Sequence, residues 1–245
     1  MHEVPVVAFD ELDSTNAEAR RRAETGETAP LWIVAARQSA GRGRRGRAWE
    51  TGEGNLAATY LFSTRRPPAE AAQVSFVAAL AVADLASAFV PAALVSLKWP
   101  NDTLIAGRKV AGILVESGQA ADGALWVAVG VGVNLATPPE NPERPATAFA
   151  DHMRAPPPAP LDALTILATA LAQWFELWER LGFLPIAEAW TQKAHGLGER
   201  CQARLASETI HGVAEGLDGD GALRLKTDQG VVRRITAGDV FFGEA

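Results

Sequence analysis

The chain has 245 residues, 48% of them hydrophobic and 21% charged, with a net charge of −6. That suits one large globular domain, or one large and one small, and argues against a protein whose main business is binding nucleic acid. A single cysteine, Cys201, excludes an internal disulfide and a cysteine-built metal site, and the scattered histidines (His2, His152, His195, His211) lack the spacing of zinc ligands.

Met1–Asp10 carries Glu3 and Asp10 and has no basic start leading into a long apolar stretch, so it does not read as a secretory signal. No apolar run approaches the roughly 20 residues that span a bilayer, and a reducing cytoplasm is the expected compartment. Val4–Phe9 predicts a strand. Asp13, Ser14 and Thr15 offer cap oxygens to a helix running toward Ala23, with Glu18 placed for a capping box if Thr15 is the cap. Leu31–Ala36 predicts a second strand. Gln38 to Asn55 contains Gly41, Gly43, Gly46, Gly52 and Gly54 and predicts a mobile loop. Leu56–Phe62 returns to strand.

After Pro67 and Pro68, Val74, Val77, Ala78, Ala81, Val82 and Leu85 recur at helical spacing. Val95–Trp99 is a strand stopped by Pro100-Asn101-Asp102. Thr103–Ala106 and Lys109–Ser117 form a hairpin turned at Gly107-Arg108, and Leu125–Asn134 is a buried strand. Ala136–Pro160 holds eight prolines and predicts a covering loop. Leu164, Leu167, Leu171, Trp174, Phe175, Trp178 and Leu181 make one helical face ended by Gly182, and a shorter helix spans Pro185–His195. Beyond Gly196, short alternating segments at Arg200–Leu205, Ile210–Leu217, Leu223–Lys226 and Val231–Ile235 predict a small β-barrel. A domain boundary near His195 divides residues 1–195 from 196–245.

Three clusters carry chemistry. Between Arg37 and Arg47 there are five arginines and no acid, the local exception in an acidic chain. Gly41-Arg42-Gly43-Arg44-Arg45-Gly46-Arg47-Ala48-Trp49 matches neither a P-loop nor a dinucleotide fingerprint. Alternating glycine and arginine gives a backbone that folds over a ligand while guanidinium groups pair with phosphate, and Trp49 offers a stacking face. The alternative is a solvated basic loop or an RNA-binding tract. Lys98-Trp99-Pro100-Asn101-Asp102, followed by Gly107–Glu116, brings two lysines toward one end of a sheet, where they can offset charge developing at phosphorus. Asp102 is a candidate Mg²⁺ ligand, to be completed by phosphate oxygens and water. In Val129-Gly130-Val131-Gly132-Val133-Asn134, alternating glycines open one strand face, either to a ligand or to a close-packed neighbour.

Together with Asp13-Ser14-Thr15-Asn16 and Gln38, these clusters resemble the biotin–protein ligases, over nearly the whole chain from Phe9. The resemblance implies an α+β fold: a mixed, mainly antiparallel sheet backed by helices, class II synthetase-like, with a small SH3-like C-terminal domain. It implies that Ser14, Thr15, Asn16, Gln38, Gly41, Gly112 and Gly130 line a biotin pocket, with Arg42, Gly43 and Arg44 closing over the biotin carboxylate and the adenylate phosphate. Lys109 would hold carboxylate and phosphate, with Lys98 assisting. Trp49 and Asn134 would contact adenine, and Arg47 and Asn101 would complete the ATP side. Biotin and MgATP are the implied substrates, a biotin carboxyl carrier protein the implied partner, and a homodimer joined edge to edge a further expectation. Many bacterial relatives carry an N-terminal DNA-binding domain; because Phe9 already begins the ligase pattern, a ligase without DNA binding is expected. Ala146-Thr147-Ala148-Phe149 departs from the family's Thr-Ser-Leu-like sequence.

Two other functions fit parts of this pattern. A lipoate or octanoate ligase or transferase shares the broad fold, and a non-catalytic nucleic-acid-binding module would use the arginine loop alone. On the ligase reading, the biotin carboxylate is already ionised near pH 7 and needs no base; Mg²⁺, Lys98, Lys109 and Arg44 supply alignment and charge. The acceptor lysine must lose a proton, and Asp102 is a candidate base only at the expense of its metal role.

Overall fold

A computed structural model describes residues 4–243; His2 and the first three residues of the Met1–Asp10 segment lie outside it. Seven strands form the main sheet in the order β1-β2-β3-β7-β6-β5-β4. They are β1 (Val6–Leu12), β2 (Leu31–Gln38), β3 (Leu56–Thr64), β4 (Val95–Lys98), β5 (Asp102–Ile105), β6 (Arg108–Gln119) and β7 (Leu125–Val133). β1 runs parallel to β2, and every other neighbouring pair is antiparallel.

Both faces of this sheet are covered, which is why its central strands read as nearly continuous apolar runs. In β2, Trp32 and Val34 face the larger core, built with α3 (Val74–Ser87) and α4 (Pro160–Leu181). Leu31 and Ile33 point the other way, under α1 (Thr15–Glu24), where Ala19 and Ala23 close a smaller core with Leu61, Trp126 and Ala128. Leu80 of α3 is fully buried, so Leu80→Ala would cost roughly 2–5 kcal/mol in transfer and cavity terms. α4 is tied across to α3 by Trp174 Nε1, which donates to Asp84 Oδ2 at 2.6 Å. It ends where Gly182 takes φ 74°, a conformation that suits glycine.

The structure revises several local expectations. Ser14, not Thr15, is the N-cap of α1, and it makes no side-chain cap bond. Glu18 therefore falls one position too late for a capping box, and it pairs instead with Arg21 and Arg22. The predicted helix after Pro67 is broken into α2 (Pro68–Ala71) and α3. Within Pro68–Ser87, 20 residues long, an 18-residue window has mean hydropathy 1.5, long and apolar enough to cross a membrane, but 67% of that window is buried inside the fold. Glu70, Gln73, Ser75 and Asp84 interrupt the segment, and its apolarity serves a helix packed between a sheet and α4. The hairpin between β5 and β6 turns at Ala106-Gly107, one residue early, with φ of 49° and 75°.

α5 (Leu184–Gln192) leads to a second sheet of order β11-β10-β9-β8-β12, fully antiparallel and SH3-like. Its strands are β8 (Arg200–Arg204), β9 (Thr209–Leu217), β10 (Leu223–Thr227), β11 (Val232–Ile235) and β12 (Asp239–Phe242). β12 was not foreseen; its four residues carry no period-two alternation. Trp99 Nε1 ties the end of β4 to the turn before β10 by donating to Gly221 O at 3.1 Å, and His195 N, in the segment leading to β8, donates to Leu97 O of β4 at 2.8 Å.

Candidate active site

Strand register creates the site. Thr59, Gly130 and Leu114 stand abreast on β3, β7 and β6, and Ala57, Gly132 and Gly112 form the next row on the same face. Five of these six positions are glycine, alanine or threonine, so the sheet offers a shallow floor on the α1 side. Both halves of the alternating-glycine question are answered by the chain's own side chains: a Cβ on Gly130 would collide with Asn16 Oδ1, and one on Gly132 with the Trp49 indole. The strand–helix packing alternative holds at Gly130, and at Gly132 the packed neighbour is a loop residue.

One end of the floor is polar. Ser14, Thr15 and Asn16, at the start of α1, are all buried. Gln38 Oε1 accepts from Thr15 N at 2.8 Å and lies 3.2 Å from its hydroxyl. Thr59 Oγ1 lies 2.7 Å from Asn16 Oδ1 and 2.8 Å from Thr15 Oγ1. Asn16 Nδ2 donates to Glu116 Oε2 at 2.8 Å, and Arg42 pairs with the same carboxylate at 3.0 Å.

The other end is cationic. The glycine–arginine loop is folded: Arg42 bridges Ala48, Gly43 N donates to Arg47 O at 2.7 Å, and Trp49 N donates to Gly41 O at 2.9 Å. Gly41 is pressed against Gln38 and the Trp49 carbonyl, where a Cβ would not fit. Arg44 points inward and donates to Asn101 Oδ1 at 3.2 Å, and burial holds its guanidinium below its ordinary range. Arg45 and Arg47 turn toward Asp239 of β12 and pair with it. Burial pushes the Asp239 carboxyl up, but hydrogen bonds and charge from Arg47, with Arg144 and Arg45, leave it below the usual carboxylate range.

Lys109 Nζ lies 2.6 Å from Asp102 Oδ1 and 5.5 Å from the centre of the Trp49 ring. Asp102 is not in a turn, as expected, but opens β5 opposite Lys98, buried, with Arg144 at 3.9 Å from its other oxygen. Lys98 sits behind this wall, within 6.0 Å of the rings of Phe241 and Phe242. Burial first, then the charge of Arg144, lower its ammonium pKa, with Lys109 adding to the effect.

The structure thus gathers Ser14, Thr15, Asn16, Gln38, Arg42, Gly43, Arg44, Arg47, Trp49, Asn101, Asp102, Lys109, Gly112 and Gly130 around one cavity. Gly41, Lys98 and Asn134 are not on its wall. Asn134 is buried beneath it, its amide donating to Thr147 O at 3.1 Å. Sequence reasoning missed Thr59, Glu116, Gly132, Arg144 and Asp239. Glu116 and Gly132 lay inside motifs already singled out, whereas Asp239 has no local signal, because a neighbour 192 residues from Arg47 is set by the docking of the second sheet.

Among the described residues, no group of three or more His, Cys, Asp or Glu side chains is disposed to hold a metal ion. Asp102 is the carboxylate beside Lys109 at the cationic end, and cations face both of its oxygens.

Comparison with known proteins adds the following. Residues 8–134 match the model of the biotin/lipoate A/B protein ligase family, and residues 196–243 that of the biotin protein ligase C-terminal domain. A biotin–[acetyl-CoA-carboxylase] ligase of Paracoccus denitrificans is 44% identical over 94% of this chain and 98% of its own. The bifunctional ligase/repressor BirA of Bacillus subtilis is 30% identical over 97% of this chain and 74% of its own. Among solved structures, a biotin protein ligase from Aquifex aeolicus in complex with biotin and ATP superposes with a TM-score of 0.82, at 26% identity over 98% of this chain and 99% of that one.

Proposed function

The chain belongs to the biotin/lipoate A/B protein ligase family, and from that premise we propose that it activates biotin with MgATP to biotinyl-5′-AMP and transfers it to a lysine of a carrier protein. It is an ATP-dependent biotin ligase on the strength of its relatives; the match of the second sheet to a biotin protein ligase domain favours biotin over lipoate. The intermediate, the acceptor and the residue roles are our reading, as are the division near His195 and a cytoplasmic setting. One observation carries the residue roles: a polar recess and a cationic wall meet over a floor of small residues in a single cavity.

The recess suits a cyclic urea, which has one strong acceptor and two N–H donors. Ser14, Thr15, Asn16 and Gln38 supply hydroxyl and amide groups of both kinds. The biotin carboxylate then reaches the cationic end, where Lys109, Arg44 and Arg42 bring it onto the α-phosphate. Lys109 is the residue placed to contact carboxylate and phosphate at once, leaving Asp102 as it does so. Trp49, lying across Gly112 and Gly132, gives the adenine a flat neighbour. Asn101 holds Arg44 from below. Lys98 and Asn134 act from behind the wall, the first through its charge and the second by fixing the segment at Thr147.

Asp102, once Lys109 has left it, is the carboxylate that would stand nearest a Mg²⁺ carried in with ATP. What Mg²⁺ supplies is Lewis-acid polarisation of the phosphate oxygens. Attack by the carboxylate on the α-phosphorus breaks the bond to the bridging oxygen, and pyrophosphate leaves with that electron pair. The folded glycine–arginine loop then shields the mixed anhydride from water. ATP–pyrophosphate exchange tests the first half directly. Exchange that depends on biotin and not on lipoate is expected; exchange driven by lipoate, or none, would contradict the reading.

A further inference from the structure

One cation of the cavity wall belongs to none of the motifs. Arg144 comes from the proline-rich segment, yet that segment is stitched to the strand that carries Lys109. Lys109 N donates to Pro145 O at 2.9 Å, and Thr147 N donates to Lys109 O at 2.9 Å. The Arg144 side chain is 21% exposed. Its guanidinium lies 4.4 Å from the centre of the Phe241 ring, which Arg204 also approaches at 4.2 Å and Lys98 at 5.7 Å. It reaches Asp239 at 3.4 Å and Asp102 at 3.9 Å.

These carboxylates do not need it. Asp102 already holds Lys109 at 2.6 Å, and Asp239 already holds Arg45 and Arg47. Arg44, Arg47, Lys109 and Arg144 share the wall with Lys98 behind it, against two buried carboxylates. A surplus of half-buried positive charge is self-repelling unless an anion enters. A planar guanidinium, stacked on an aromatic ring and only loosely paired, is preorganised to take two phosphate oxygens at once.

We propose that Arg144 is a further polyphosphate-binding residue of this site, taking the outer phosphates of ATP and holding the pyrophosphate as it departs, with Phe241 and Asp239 keeping it in place beforehand. This rests on the ATP-dependent reading above. The guanidinium donates hydrogen bonds and transfers no proton; the electron pair of the broken bond stays on pyrophosphate.

The test uses the full chain, with Arg144→Gln and Arg144→Lys compared by ATP–pyrophosphate exchange and by calorimetric titration of magnesium pyrophosphate. Arg144→Gln should raise KM for ATP and Kd for pyrophosphate by about tenfold, the loss expected for a charge-assisted hydrogen bond, and leave biotin affinity within about twofold. Arg144→Lys, which keeps the charge but not the planar fork, should recover only part of the loss. Phe241→Leu, which keeps the guanidinium but removes its platform, should give a smaller loss of about threefold in the same two constants. Unchanged pyrophosphate affinity in Arg144→Gln overturns the proposal, and so does an equal loss in the Lys and Gln variants. If the wild-type chain shows no biotin-dependent exchange, the biotin reading falls, and the pyrophosphate titration alone still decides the role of Arg144.

Discussion

Lys109 is asked to do two things, and they can be separated. Its ammonium neutralises the buried Asp102 carboxylate, whose side chain is 8% exposed, and it faces the cavity. Lys109→Ala leaves that carboxylate without its near partner. Breaking a fully buried pair costs about 3–5 kcal/mol. Here the Lys109 side chain is 29% exposed and Arg144 stands 3.9 Å away, so roughly 2–3 kcal/mol is expected. For a chain of this size that lowers Tm by roughly 4–12 °C. Asp102→Ala added to Lys109→Ala removes the stranded charge, and most of the lost stability should return. Activity should not. Loss of an oriented cation at the reacting phosphate costs about 10²–10³ in rate, so pyrophosphate exchange stays suppressed in both variants. Thermal unfolding and exchange, measured on the same preparations, give the two readouts. If the double variant regains both stability and exchange, Lys109 is a structural counter-ion only, and its place in the chemistry is wrong.

Other consequences follow from individual contacts. Arg44→Gly removes the inward guanidinium held by Asn101, so bound biotinyl-AMP should escape at least about tenfold faster and label unrelated lysines; a half-life equal to that of wild type in a dilution assay removes the retaining role. Gly130→Ala drives a methyl group into Asn16, and Gly132→Ala one into Trp49. Each should cost about 1–3 kcal/mol, the first raising KM for biotin and the second KM for ATP, and a reversed pattern would exchange the two assigned recesses. The Asp239 carboxyl is depressed in the folded state, so its pairing stabilises the fold above the unfolded value of about 3.9 and fades as pH falls through the lowered folded value. The Tm advantage of wild type over Asp239→Asn should therefore shrink below about pH 4; a constant gap from pH 6 to 3 would show that the charge does not matter. Lys98 is depressed by burial, so activity should decline on the alkaline side below the ordinary lysine range, and Lys98→Arg should carry that limb to higher pH; an unmoved limb clears Lys98 of the effect.

Much of the fold was legible because its signals are local. The apolar face of α4 and its stop at Gly182, the paired strands around Gly107, and the buried run of β7 each follow from period and turn chemistry. The misses arise where tertiary context decides. Ser14 displaced Thr15 as cap because Thr15 N and its hydroxyl are engaged by Gln38, 23 residues away. β12 has no alternation of its own and forms by pairing with β8. The site divides in the same way. Motif residues on β2, β6 and the arginine loop could be read directly, but Arg144 and Asp239 enter only when the proline-rich segment and the second sheet fold back onto them. Asn134, inferred by resemblance as an adenine contact, lies behind the wall and holds Thr147.

On this reading the cavity joins biotin to a protein lysine at the expense of ATP. That reaction is tested most directly by incubating the chain with biotin, MgATP and a biotin carboxyl carrier domain and weighing the carrier by mass spectrometry. One added biotin on one carrier lysine is expected, dependent on ATP and lost in Lys109→Ala. A carrier of unchanged mass, or one that gains its label without ATP, would contradict it.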